Sequence, residues 1–185
     1  MSIFDWLGLG GERAPTAAPE GSTAVRDIAA KLAGLDPKAA RWVASFAMVL
    51  ARAARADLEI SDEELEAVKG IVHDFGGLSR EQAELVAEMA AHRNQLLGVS
   101  EDYLATREFR KVAAEGDRER LLHCLFAVTA ADDSISLVEE EEVRQVANEL
   151  GIEHAQFTEI RASFRDKREV LRGLGGASPW SVNRR

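Results

Sequence analysis

The chain has 185 residues, of which 46% are hydrophobic and 30% are charged, and its formal net charge is -9. This length suits one well-buried domain, or two small ones sharing a core, and the composition is too apolar for general disorder. The negative charge argues against nucleic acid as the main partner, because phosphate contacts need clustered Lys and Arg, and it favours cations or basic surfaces instead.

Residue usage narrows the class further. The single cysteine, Cys124, excludes an internal disulfide and a cysteine-based zinc cluster, and its apolar neighbours predict a buried small hydrophobe. No run of about 18 apolar residues and no basic start before an apolar core occurs, so we expect a cytoplasmic protein without a membrane span or signal peptide. The 4 prolines and the abundance of Ala, Leu, Glu and Arg predict an all-α fold.

Residues 1–22 are predicted to be a flexible N-terminal arm. An apolar piece, Ile3 to Leu9, precedes a spacer rich in Gly, Pro, Ala and Thr. The apolar piece would suit a peripheral contact with a membrane or an assembly partner, and a terminus that folds back or stays loose is the alternative. A helical domain is predicted over 23–172 and a mobile tail over 173–185.

The first half of this domain has clear helix signals. Apolar residues from Val25 to Leu32 space one helix, Asp36 and Pro37 open a second, and its apolar stripe runs from Ala39 to Ala53. An acidic stretch, ADLEISDEE, then leads into a capping box formed by Ser61 and Glu64. The helix that follows ends at Gly76-Gly77, and Ser79 opens another that runs to about Leu97.

The second half, from about residue 117, repeats this plan. It is preceded by a helix predicted from Ser100 to Ala114 that ends at Glu115-Gly116. A helix leads to a second acidic stretch, ADDSISLVEE, and the next helix stops at Gly151 before a final one that reaches Leu171. We therefore expect a bundle of about seven to eight helices built from two similar helix-loop-helix halves.

The two acidic stretches share one spacing. Asp132 and Glu139 follow Asp57 and Glu64 by 75 positions each, and the glycine stops keep the same register. An internal duplication explains this economically. Without any ligand, the pattern A-D-x-x-I-S-x-x-E would end one helix, place an isoleucine in the core and cap the next helix.

The same pattern is also compatible with metal binding. Its offsets resemble the second half of an EF-hand loop, but the early ligand positions lack carboxylates, so one loop has too few oxygens for Ca²⁺. Two loops brought together by the pseudo-symmetry could share Ca²⁺ or another divalent cation, with Glu63 and Glu140 in reserve. The predicted ligands of this shared site are Asp57, Glu64, Asp132 and Glu139.

Other motifs give little support to catalysis. No two of the four histidines have the i, i+4 spacing of a helical zinc site, and no nucleophile elbow or phosphate-binding glycine loop occurs. The paired carboxylates would permit acid–base chemistry, but nothing else supports an enzyme, and we expect none. The basic cluster REFRK, starting at Arg107, is too small for a nucleic-acid footprint.

The doubled motif, over about Thr23 to Leu171, resembles the TerB domain of bacterial tellurite-resistance proteins, related to the N-terminal region of DnaJ-like membrane co-chaperones. The resemblance implies a helical bundle whose paired loop acids are proposed to bind a divalent metal. Leu58 and Asp133 stand where the family usually has a small residue, and the chain has no His-Pro-Asp tripeptide of a J-domain. We therefore expect a non-enzymatic binding module for a divalent cation or a protein, acting in stress response, and the alternative is an interaction scaffold with purely structural acidic loops.

Overall fold

The computed structural model describes residues 22–53, 62–96, 102–131 and 135–165, and these residues form nine α-helices. The prediction of an all-α bundle is confirmed. The helix bounds are α1 Thr23–Ala33, α2 Pro37–Ala53, α3 Asp62–Gly76, α4 Arg80–Ala91, α5 Arg93–Leu96, α6 Asp102–Val112, α7 Glu115–Thr129, α8 Leu137–Leu150 and α9 His154–Ser163. The predicted tail, the first 21 residues of the predicted arm and the acids Asp57 and Asp132 lie outside the described residues.

Helix α2 is the centre of the bundle. Its buried residues extend around the helix beyond the predicted stripe, since Ala44, Ser45 and Val49 are as inaccessible as Phe46. It packs against α4, α6, α7 and α8. Aromatic rings of α2 and α6 pack together in this core. Trp42 stacks on Phe46 with 5.0 Å between the ring centroids, and Phe109 of α6 contacts both rings.

The order of the helices follows the duplication seen in the sequence. Four helices, α1 to α4, precede the short α5, and four more, α6 to α9, follow it. Across the two halves, α3 packs on α7 and α8 packs on α2, while α2 and α7 pack on each other. Most of the buried apolar residues on both sides of α5 form one continuous core, and Ala51 and Ala90 form a small separate cluster.

Two helix boundaries differ from their predictions. The helix expected to reach Leu97 breaks at His92, where the backbone N–H and the ring Nδ1 both bond to the carbonyl of Glu88, and the short α5 follows. The prediction that Glu115-Gly116 ends a helix was wrong, because α6 ends at Val112 and Glu115 begins α7. The cause is Asp117, whose carboxylate accepts the Ala114 N–H at 2.9 Å and fixes the start of α7.

In the described part of the chain, no helix is both long enough and apolar enough to cross a bilayer. The expectation of a cytoplasmic location stays a prediction.

Candidate functional site

The second acidic loop enters α8 as the sequence predicts. Ile135 is 1% exposed and anchors the loop in the core. The Ser136 side chain accepts the Glu139 N–H at 3.2 Å, and Glu139 Oε2 accepts the Ser136 N–H at 2.8 Å. This reciprocal capping box satisfies two N–H groups that a helix start otherwise leaves unpaired. Glu139 Oε1 accepts no hydrogen bond from the described residues, so one oxygen of this predicted ligand stays open to a cation.

Glu140, the neighbouring acid that was expected in reserve, has a structural role. Its side chain is 6% exposed and forms ion pairs with Arg161 of α9 and with Arg144 one turn along α8. Arg144 also lies over the Phe157 ring at 5.7 Å from its centroid. These contacts join α9 to α8, and they commit the Glu140 carboxylate to arginine partners.

The first acidic loop is described only where it becomes α3. Asp62, Glu63 and Glu64 form the first turn of that helix and are exposed, where acids complement the helix dipole. The predicted partners Asp57, Ile60 and Ser61 lie outside the described residues, so the capping box of Ser61 with Glu64 stays a prediction.

An arginine at the end of α2 connects the approach to the first loop with the helix that follows the second. The Arg52 guanidinium is 7% exposed; its Nε donates to Glu142 Oε1 at 2.6 Å and its Nη1 to Glu149 Oε2 at 2.7 Å. Thr106 of α6, which is fully buried, donates its hydroxyl to Glu149 Oε2 at 2.7 Å. Three helices therefore meet in one hydrogen-bonded ion network, which we call the Arg52 network and which consists of Arg52, Thr106, Glu142 and Glu149.

The ionisation of this network follows from its contacts. Burial acts to lower the pKa of Arg52, but hydrogen bonds and charges from Glu149 and Glu142 outweigh it, and the pKa is raised. Burial acts to raise the pKa of Glu149, but hydrogen bonds from Arg52 and Thr106 outweigh it, and that pKa is lowered. Both groups are therefore held in their charged forms at neutral pH.

The Arg52 network brings the end of α2 against the middle and the end of α8. Arg52 lies five positions before Asp57, and Glu142 lies one helical turn after Glu139 on a neighbouring part of the same helix surface. The contact between Arg52 and Glu142 therefore places the end of α2 beside α8, the helix that carries Glu139, a predicted ligand from the second acidic stretch.

Comparison with known protein families shows which family the chain belongs to. The family described as "Tellurite resistance protein TerB" matches residues 42–162, which is more than half of the chain. The chain belongs to the TerB family. Neither the comparison with curated proteins nor the comparison with solved structures found a match. The TerB match begins within α2 and ends within α9, so it contains both acidic loops and every residue of the Arg52 network.

Two of the four predicted metal ligands of this TerB domain lie within the described residues, Glu64 and Glu139. Across the described ranges, no three His, Cys, Asp or Glu side chains are grouped so that they could hold a metal ion. The carboxylate oxygens at these positions have the hard-ligand chemistry that Ca²⁺ and Mg²⁺ take. A site shared by the two loops depends on Asp57 and Asp132 as well and stays a prediction.

Cys124 of the TerB domain is the buried small hydrophobe that the sequence predicts. It is fully inaccessible, and burial raises the pKa of its thiol to about 12, so the thiol stays protonated at neutral pH. The neighbouring His123 lies between the rings of Phe75 and Phe164, and burial lowers its pKa. Phe75, near the end of α3, is 45% exposed beside this imidazole.

Sequence reasoning missed the Arg52 network. One signal could have revealed this network, namely an arginine on the last turn of a helix that is mostly buried. A buried charge requires a partner. The partners themselves lie 90 and 97 residues away, and no local pattern identifies them.

Proposed function

We propose that this TerB-family chain is a non-enzymatic binding module that coordinates one divalent cation between its two acidic loops and acts in a stress response of the tellurite-resistance kind. Asp57, Glu64, Asp132 and Glu139 would hold the cation, and water would complete its shell. The relation to membrane co-chaperones stays a prediction.

The contact between Arg52 and Glu142 is the observation that carries this proposal. At 2.6 Å it joins the residue that precedes the first loop to the helix that follows the second. Because Arg52 is already neutralised by Glu142 and Glu149, its charge competes weakly with a cation bound nearby. The four loop carboxylates would then converge, and a divalent ion between them would offset about half of their charge.

The bound cation would supply charge neutralisation and rigidity. Two loops of like charge repel each other at short distance, and a shared ion converts that repulsion into attraction. Cation binding would therefore order the two loops together and present a defined surface to a protein partner. Glu139 suits this role because its capping bond uses one carboxylate oxygen and leaves the other for the ion.

Calorimetric titration of the metal-stripped full chain with Ca²⁺, and then with Mg²⁺, tests the proposal. We expect saturable binding for the wild type and its loss in the double variant Asp57→Ala/Asp132→Ala. The matched control is Asp27→Ala/Asp74→Ala, which removes the same charge from two exposed positions outside the loops. Binding that is absent in the wild type, or equal in the loop variant and the control, would contradict the proposal.

The second candidate function is a protein-interaction scaffold in which the acidic loops are structural only. The satisfied capping box of Ser136 and the burial of Ile135 favour it, since both residues are explained without a ligand. Leu137 and Val138, 64% and 60% exposed at the start of α8, would then be contact residues together with the N-terminal arm. Loss of a co-purifying partner on deletion of residues 1–20, in a protein that binds no divalent cation, would support this candidate.

A further inference from the structure

A shallow cleft on the far side of the Arg52 network has the opposite charge to the acidic loops. It lies between α6 and α8 and has a volume of about 300 Å³, which is the size of a small-molecule site. Three of its lining side chains are cations on a chain whose net charge is -9. The cleft is lined by Tyr103, Thr106, Arg107, Arg110, Lys111 and Glu149.

The helical spacing of α6 explains why these cations converge. Tyr103, Arg107 and Arg110 or Lys111 recur at three or four residues, so they lie on one face of the helix. This face contains the basic cluster that is too small for nucleic acid, and its charges converge on one cleft instead of spreading along a groove. A compact ligand therefore fits it better than a long polyanion.

The partners of the three cations leave the cleft positive. Arg107 and Lys111 share a single carboxylate, Glu108, whose Oε1 lies 3.3 Å and 2.7 Å from them. Arg110 donates Nη1 to the backbone carbonyl of Glu149 at 3.0 Å, and no carboxylate of the described residues pairs with it. Three cations against one carboxylate leave a charge of about two, before Glu149 is considered.

Glu149 cancels only part of this positive charge. Both of its oxygens are bound by Arg52, Nη1 to Oε2 at 2.7 Å and Nη2 to Oε1 at 3.2 Å, but the same guanidinium also pairs with Glu142 behind the cleft. The Thr106 hydroxyl is committed to the same carboxylate. The Arg52 network therefore forms a floor with about one negative charge, and the three cations of α6, paired with the single carboxylate of Glu108, leave the cleft with a net charge of about +1.

From this geometry we propose that the cleft is a binding site for a phosphoryl group, whether of inorganic phosphate or of a phosphate monoester. Arg107 donates its Nε and Nη2 to Glu108 and Arg110 donates its Nη1 to the Glu149 carbonyl. The remaining N–H groups of both guanidinium groups would donate to phosphate oxygens, and Lys111 would add a point charge. The Tyr103 side chain is 64% exposed and offers a hydroxyl donor and a ring at the rim.

A second cleft, between α1 and α4, lacks an excess of positive charge. Its volume is larger, about 460 Å³, but its cation Lys31 is paired with Glu88 at 2.6 Å, and Asp27 adds a negative charge. Size alone would favour this second cleft for a ligand. Charge assigns the phosphoryl group to the cleft on α6.

The chain contains a single tyrosine, Tyr103, which makes the site directly observable. We would label tyrosine with ¹³C in the full chain and titrate inorganic phosphate, and in a second arm phenyl phosphate, at constant ionic strength. A saturable shift of the Tyr103 ring signals is expected in at least one arm, and the arm that saturates at lower concentration identifies free phosphate or a monoester. Acetate, a monoanion, should bind at least about tenfold more weakly.

Two variants test the assignment of the cations. Arg107→Gln leaves Lys111 to pair with the buried Glu108, so it should fold normally and weaken phosphate binding about tenfold. Arg110→Gln should weaken binding similarly and also removes a bond to the end of α8, so its melting temperature is measured alongside. Arg80→Gln, at an exposed position on α4, is the matched control and should bind as the wild type does.

The inference is overturned by a titration in which Tyr103 shows no saturable shift with either phosphate, or shows the same shift with sodium chloride. It is equally overturned if Arg107→Gln and Arg80→Gln bind phosphate with the same affinity. Neither result depends on the divalent-cation proposal, because the titrations contain a chelator and the substitutions lie outside both acidic loops.

Discussion

Replacement of Arg52 by methionine tests whether the Arg52 network stabilises the bundle. Methionine keeps most of the side-chain volume and removes the charge, so Glu149 and Glu142, 17% and 30% exposed, lose their cation. Removing one partner of a buried ion pair costs about 3–5 kcal/mol, and the partial exposure of the two carboxylates places this case near the lower end. We expect the free energy of unfolding to fall by about 3 kcal/mol.

Urea unfolding followed by circular dichroism measures this loss. Arg41→Met, an exposed position on the same helix, is the control and should change the stability by less than about 0.5 kcal/mol. In a Glu149→Gln background the cost of Arg52→Met should shrink by at least about 1 kcal/mol, because the main partner of the guanidinium is already neutral. A loss below about 1 kcal/mol in the wild-type background, or no coupling with Glu149, would refute the reasoning.

Three further predictions concern stability. The pKa of Glu149 lies below its ordinary value of 4.5, so the unfolded chain binds this proton more tightly than the folded chain does. The stabilising contribution of the Glu149 carboxylate is therefore present above pH 4.5 and is lost as the pH falls through the native pKa. In urea titrations, the stability difference between wild type and Glu149→Gln should narrow over that acid range. Ser136→Ala should cost about 1 kcal/mol by thermal melting because the cap of α8 is lost, whereas Ser136→Thr should restore most of it; equal melting of the two variants would contradict this role. Gly151→Ala should lower the free energy of unfolding by about 1 kcal/mol, because φ of Gly151 is 70°. Gly70→Ala should stabilise the chain instead, because Gly70 lies inside α3 with open space around an added Cβ. The opposite order of melting temperatures would contradict this backbone argument.

The sequence alone predicts those parts of the fold that depend on local contacts. The capping box at Ser136, the buried Ile135 and the stop at Gly151 each depend on residues within a few positions, and the structure has all three. The spacing between the two acidic stretches predicts the repeated order of helices for a similar reason, since one local pattern occurs twice.

The start of α7 shows why a local pattern can mislead. Gly116 is a plausible helix stop in isolation, yet it lies in the first turn of α7. Asp117 overrides it, because its carboxylate accepts both the Ala114 N–H and the Trp42 Nε1–H, the latter at 3.1 Å across the bundle. A tryptophan 75 residues away therefore helps to set where the helix begins.

The candidate sites also combine features that local sequence predicts with features that depend on the packing of distant helices. The acids of the two loops are recognisable from their spacing, whereas the ion-paired floor and the cationic rim of the α6 cleft depend on how α2, α6 and α8 meet. Arg52 and Glu149 belong to no shared motif, and their pairing follows only from the packing of three helices. Periodicity predicts which face of a helix is buried, but it does not predict which charges on separate helices will pair.

The stoichiometry of Ca²⁺ binding tests the central claim of a shared site most directly. Calorimetry on the metal-stripped full chain should give one ion per chain, and Asp57→Ala or Asp132→Ala alone should each remove most of the binding, because each deletes a ligand of the same ion. Two ions per chain, with each single substitution removing one and leaving the other, would contradict a site held jointly by both halves.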